Sequence, residues 1–170
     1  AIGENVRDLD DCRVFVVDNA SSDDSAAIVR DQFPGVELIE NPSNIGYGAA
    51  INRALERSDA EFVLCMNPDV RLQNGALSAL RECLQRHHDA IAPAPKAQHD
   101  RERDVDMVSG ACMMFRRDYL ERVGRFDENI FLYEEEADIF LPTRTLGGRA
   151  YYYPTAEAVH EHGERTAGDE

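Results

Sequence analysis

The sequence has no apolar stretch near the roughly 18 residues a membrane span requires. Its opening, AIGENVRDLDD, has neither the basic nor the apolar segment of a secretion signal. A chain that is neither inserted nor exported by its own signals is expected to be cytoplasmic, with peripheral contact at the inner membrane face left open. Basic residues are also scarce, with 18 Lys and Arg against 33 Asp and Glu and a formal charge of -15. Affinity for a nucleic-acid backbone comes mostly from lysine and arginine, so no nucleic-acid partner is expected. Cys12, Cys65, Cys83 and Cys112 are scattered without CxxC spacing. That argues against a zinc site or a disulfide framework and fits reduced, mostly buried thiols. No GxGxxG follows the first apolar run, which disfavours a Rossmann-type dehydrogenase. Internal repeats and low-complexity tracts are absent as well.

What is present is the composition of a globular protein: 170 residues, 43% hydrophobic and 30% charged. That is enough for one domain, residues 1–170, with a sizeable core. An acidic protein can still hold a small phosphorylated ligand when a divalent cation bridges the two sets of negative charge.

The pattern along the chain is strand, loop, helix, repeated. RVFVV (13–17) is a β-branched run that stops at Asp18, and SAAIVRDQF predicts a helix ended by Pro34-Gly35. VELIE (36–40) reads as a second strand and Gly46 to Arg57 as a second helix, with Ile51, Ala54 and Leu55 on one face. EFVLCM (61–66) is a third strand, followed by the amphipathic NGALSALRECLQRHH with Asn74 as its expected cap. Such alternation predicts an α/β fold with a mostly parallel sheet flanked by helices. Residues 92–106, charged and containing proline, read as an exposed connector. Beyond it come one or two strands around Gly110, a short helix stopped at Gly124, a loop and helix over 126–148, two terminal strands (AYYYP, AEAVH) and a frayed tail.

Ligands of open parallel sheets bind at the carboxyl ends of the strands, and three polar clusters fall there. They are Asp18-Asn19, Asn44-x-Gly46-Tyr47-Gly48 and Asn67-Pro68-Asp69. Each alone is also an ordinary turn. Together they suit a nucleotide: Asp18 can accept the imide N–H of uracil or thymine, and Asp69 can hold a hard cation against a diphosphate. Gly46 and Gly48 would let backbone approach the ligand at a helix N-terminus.

The motifs VVDNASSDDS, NPSNIGYGAAIN, MNPDV, SGACMMFRRDYLERVGRFDE, FLYEEEADIFL and AYYYPTAEAVHEHG occur in this order and cover nearly the whole chain. In them the sequence resembles family 2 of the glycosyltransferases, and more narrowly the bacterial rhamnosyltransferase-like enzymes of surface-polysaccharide synthesis. The resemblance implies a GT-A fold, a nucleoside-diphosphate sugar donor and a Mg2+ or Mn2+ ion. It places Asp18 and Asn19 at the nucleoside base and Asn44, Gly46, Gly48 and Asn52 along the donor pocket. Asn67 and Asp69 occupy the DxD position, where an amide replaces the first carboxylate, so Asp69 is the expected metal ligand and His160 a further one. In the acidic run Glu134-Glu135-Glu136, followed by Asp138, Glu136 stands where the family's general base is usually an aspartate.

Two departures from the family pattern stand out. The usual first apolar strand, central in the sheet between RVFVV and EFVLCM, is missing, which would leave two unpaired edges open to a second copy of the chain. Pro142 and Thr143 replace a basic helical residue, and the proline would shorten or kink its helix. The resulting expectation is inverting transfer of a hexose or deoxyhexose, with rhamnose from dTDP-rhamnose the leading donor, from a UDP- or dTDP-sugar to a glycan or lipid-linked acceptor. The competing expectation is a truncated or degenerate, non-catalytic domain that binds nucleotide-sugar or serves in interactions.

Overall fold

A computed structural model describes residues 12–95 and 101–160. Residues 1–10, the tail GERTAGDE and part of the expected connector lie outside the described residues. The alternation of strand and helix is as expected through the first half: β1 (Phe15–Asp18), α1 (Ser25–Gln32), β2 (Glu37–Glu40), α2 (Tyr47–Leu55), β3 (Phe62–Met66). Next come β4 (Val70–Leu72), α3 (Ala76–Arg86), β5 (Ala90–Pro95) and β6 (Arg103–Val105). The remainder is β7 (Cys112–Arg116), α4 (Arg117–Val123), α5 (Glu135–Phe140), β8 (Arg149–Tyr153) and β9 (Ala158–His160).

The helix-flanked α/β architecture stands, but pairing among the described residues is mixed rather than mostly parallel. β1 with β2 and β5 with β8 are parallel; β3 with β7, β4 with β9 and β6 with β8 are antiparallel. The antiparallel neighbours are far apart in sequence, each joined by a long connection that includes helices. β1 and β3 do not pair with each other among the described residues.

The core forms two layers, and β7 separates them. Successive side chains of a strand point to opposite faces, so Cys112 and Met114 join a cluster with Leu72, Leu80, Leu84 and Tyr153. Met113 and Phe115 join the other cluster, with Tyr119, Phe126, Ile139 and Phe140. α3 closes the first layer because Ala76, Ala79, Leu80, Cys83 and Leu84 recur at helical spacing and are all buried. Its start is a Gly75 in the left-handed region (φ 81) with no side-chain cap, so Asn74 does not cap it as expected.

The expected connector is the largest correction. Ala90–Pro95 is a strand buried along its whole length and paired with β8. Pro93 and Pro95 read as breakers, but they lie two residues apart, so their missing N–H groups fall on one edge and the alternating alanines supply the other. Burial also pushes the thiols of Cys65, Cys83 and Cys112 up to about 12, which keeps them protonated.

α5 ends at Phe140, before Pro142, as the proline requires. Thr143, in the place of the basic residue, is 2% exposed, and its Oγ1 lies 2.8 Å from the Tyr119 hydroxyl, which also donates to the Ile139 carbonyl at 2.6 Å. This buried pair ties the end of α5 to α4.

Candidate functional site

β1 and β2 end side by side, and hydrogen bonds through Gly46, Tyr47 and Gly110 lead from the residues beyond them towards the end of β3. β1 delivers Asp18, whose Oδ2 accepts the Ser21 N–H at 3.2 Å and so shapes the turn beyond the strand. The Asn41 amide donates to Asn19 Oδ1 at 2.8 Å, and Asn19 Nδ2 donates to the Gly46 carbonyl at 3.0 Å. Asn44 Oδ1 accepts the Gly46 N–H at 3.0 Å, the geometry of an Asx turn leading into α2.

The glycines act differently from the sequence expectation. Gly46 has φ 90, and a Cβ there would lie 2.5 Å from the Phe131 carbonyl oxygen; a Cβ on Gly48 would lie 2.9 Å from Phe126 Cβ. The close approaches they permit are to the chain itself. Gly46 admits the 131–134 loop, and the Tyr47 N–H then donates to the Phe131 carbonyl at 3.2 Å. Gly48 admits the core.

Asn52, expected along the donor pocket, is 5% exposed and has its amide engaged. Its Nδ2 donates to the Phe126 carbonyl and Glu128 Oε1, and its Oδ1 accepts the Phe126 N–H. It pins the 126–128 turn to α2. Asn52→Ala would strand the Phe126 backbone groups, and urea denaturation should register a loss of about 2–4 kcal/mol, the cost of leaving buried polar groups unpaired.

β3 runs out into Asn67, whose N–H donates to the Ala111 carbonyl at 2.9 Å. The next strand, β4, pairs with β9 so that Val70 faces His160. This register puts His160 Nε2 3.1 Å from Asp69 Oδ2, across 91 residues of sequence. Asp69 is partly exposed as a side chain, yet its Oδ1 is shielded and has no hydrogen-bond partner among the described residues. A shielded, unpaired carboxylate oxygen beside an imidazole nitrogen suits a hard divalent cation that takes its remaining ligands from diphosphate and water. Among the described residues no group of three or more His, Cys, Asp or Glu gathers there, and Asp69 and His160 are the two described side chains that would hold such an ion.

Beside Ala111 lies Gly110, whose N–H donates to Glu136 Oε1 at 3.0 Å. The neighbouring Glu135 is 5% exposed, and its Oε2 has no partner among the described residues. Burial, followed by the charges of Glu136 and Glu134, raises its carboxyl above the ordinary range. Glu134 is held at φ 69 and Tyr133 at φ 62, a left-handed pair that turns the chain abruptly into α5. Phe131, Leu132 and Tyr133 stand exposed at this turn, as does Leu141 at the other end of α5.

Comparison with known proteins gives the family, for residues 3–104 fit the model of Glycosyl transferase family 2. The chain belongs to that family. It is 26% identical to the N-acetylglucosaminyl-diphospho-decaprenol L-rhamnosyltransferase of Mycobacterium tuberculosis, over 92% of this chain and 68% of that protein. A shorter stretch, 39% of the chain and 25% of its counterpart, is 33% identical to the rhamnosyltransferase WbbL of Escherichia coli. The fold is similar to the mannosyltransferase PcManGT of Pyrobaculum calidifontis, solved with GDP-Man and Mn2+, at a TM-score of 0.79 and 22% identity. That match covers 96% of this chain and 52% of the other, so the family 2 chain spans about half the length of that structure. GalNAc-T7, solved with UDP, GalNAc and Mn2+, is similar at a TM-score of 0.73 and 9% identity, over 87% of this chain and 37% of that one. The architecture is therefore GT-A.

Sequence reasoning did not single out Tyr47, Gly110 or Glu135. The only signal for Gly110 was its place inside SGACMMF, and Tyr47 was visible only as the residue between two glycines.

Proposed function

We propose that this family 2 protein is an inverting glycosyltransferase that moves a hexose or deoxyhexose, rhamnose foremost, from a UDP- or dTDP-activated donor to a lipid-linked or glycan acceptor. The observation that carries the reading is the meeting of Asp69 and His160 across 91 residues, with the Glu136 carboxylate held at the Gly110 N–H, one residue from the Ala111 carbonyl that binds Asn67. Asp18 and Asn19 receive the base, and the turn from Asn44 to Gly46 borders the donor. The acceptor hydroxyl attacks the anomeric carbon, its proton passes to the Glu136 carboxylate, and the bond from that carbon to the diphosphate oxygen breaks with its electron pair leaving on the diphosphate. A bound Mg2+ or Mn2+ supplies charge stabilisation to that leaving diphosphate. The rhamnosyl donor rests on the names of the curated relatives. A lipid-linked acceptor is supported by the same names and by the exposed apolar Phe131, Leu132 and Tyr133 beside the base.

The test is thermal melting with dTDP-rhamnose and with UDP-sugars, each with and without Mn2+. A donor that binds only the folded state at 100 times its Kd should add about 2.7 kcal/mol of stability, and the shift should require the cation. No shift with any nucleotide-sugar would refute the proposal. One observation favours a second reading: among the described residues β1 pairs only with β2 and β3 only with β7, so each keeps an open edge, as a donor-binding domain without turnover would tolerate. A cation-dependent shift without sugar transfer would select it.

A further inference from the structure

We propose that Tyr47 is a positioning residue that ties the donor loop to the base, through the backbone of Gly110. The inference rests on the reading of Glu136 as base. Two bonds carry it. The Tyr47 hydroxyl donates to the Gly110 carbonyl at 2.6 Å, and the N–H of the same residue donates to Glu136 Oε1 at 3.0 Å. Gly110 is buried, so its two polar groups are committed to these two side chains.

Tyr47 holds the base from a second direction. Its own N–H binds the Phe131 carbonyl, at the start of the turn that feeds Glu136 into α5. α5 has only six residues, too few to fix its own orientation. Tyr47 in turn follows Gly46, whose carbonyl is held by Asn19. The series Asn19, Gly46, Tyr47, Gly110, Glu136 therefore joins the residues expected at the base of the nucleotide to the carboxylate expected at the acceptor hydroxyl. Burial, helped by the nearby Cys65, Glu136 and Glu135, holds the Tyr47 phenol far above its ordinary range, so it remains a donor at any working pH. Its ring meets Phe126 edge to face at 6.3 Å, which fixes the direction of the hydroxyl.

The space for this arrangement exists because residue 110 lacks a side chain. A Cβ there would fall 2.9 Å from Glu136 Cγ and Cδ. The Glu136 side chain folds into that space to reach the Gly110 N–H. Gly110 has no positive φ, so an alanine would strain no backbone and would act by moving the Glu136 carboxylate.

The experiment combines Tyr47→Phe and Gly110→Ala with the amide spectrum of 15N-labelled protein and with transfer kinetics from dTDP-rhamnose to a short-chain N-acetylglucosaminyl-diphospho-lipid. Tyr47→Phe keeps the ring packing and removes one hydroxyl. The Gly110 amide proton should move upfield in Tyr47→Phe and in Glu136→Gln, and kcat should fall about 10- to 100-fold in Tyr47→Phe and in Gly110→Ala with donor KM unchanged. In the double variant Tyr47→Phe, Glu136→Gln, the tyrosine change should have little further effect on kcat, because a group acting through the base has nothing left to position. A Gly110 resonance indifferent to Tyr47, or additive losses in the double variant, would overturn the inference while leaving Glu136 as base. If Glu136→Gln itself retains wild-type kcat, the base reading falls and this inference falls with it.

Discussion

Glu136→Gln is expected to lower kcat by about 10²- to 10⁴-fold, the range for removing a general base. The substitution is chosen because the amide oxygen can still accept the Gly110 N–H that Glu136 Oε1 accepts at 3.0 Å. Position is then preserved and only the capacity to take a proton is removed. Donor binding should be unaffected, so the melting shift with dTDP-rhamnose and Mn2+ should match wild type. A variant retaining more than roughly a tenth of wild-type kcat would remove Glu136 from this role, since a base contributes far more than that. Glu135, the adjacent buried carboxyl, would then be the next group to test by the same substitution.

Asp69→Asn should abolish the response to Mn2+ and reduce transfer by roughly 100-fold or more, equivalent to about 3 kcal/mol of lost leaving-group stabilisation. Asparagine can keep a hydrogen bond to His160 Nε2, now 3.1 Å from Asp69 Oδ2, but it carries no charge. The variant therefore separates the two roles open to this pair. If the contact only staples β4 to β9, Asp69→Asn should behave like wild type in every assay. If Asp69 holds the cation, the melting temperature without ligands should be nearly unchanged while the cation-dependent donor shift disappears.

The residues at the strand ends were legible in the sequence because their chemistry and their place in the pattern agree. An apolar run closing on Asp18, and another closing on Asn67-Pro68-Asp69, mark these strand ends without coordinates. The meeting of Asp69 with His160 was legible only through the family resemblance, since it depends on two three-residue strands, β4 and β9, whose register no local pattern announces. β5 was hidden for a different reason. Proline within AIAPAP argues against a strand by propensity, and only the tertiary pairing with β8 overrides it. The glycines were legible as needed but not for what: Gly46 and Gly48 make room for Phe131 and Phe126, residues some 80 positions away. Distant partners of this kind leave no trace in local periodicity.

β9 is the last described strand and is held by three residue pairs, from Ala158 to His160, against β4. A cation clasped between Asp69 and His160 would bridge the two strands at their junction, so its binding energy would be spent partly on closing that short ladder. Fraying of β9 and release of the ion would be a single event, and the donor's diphosphate, as third party to the clasp, would hold β9 in place for as long as it stays.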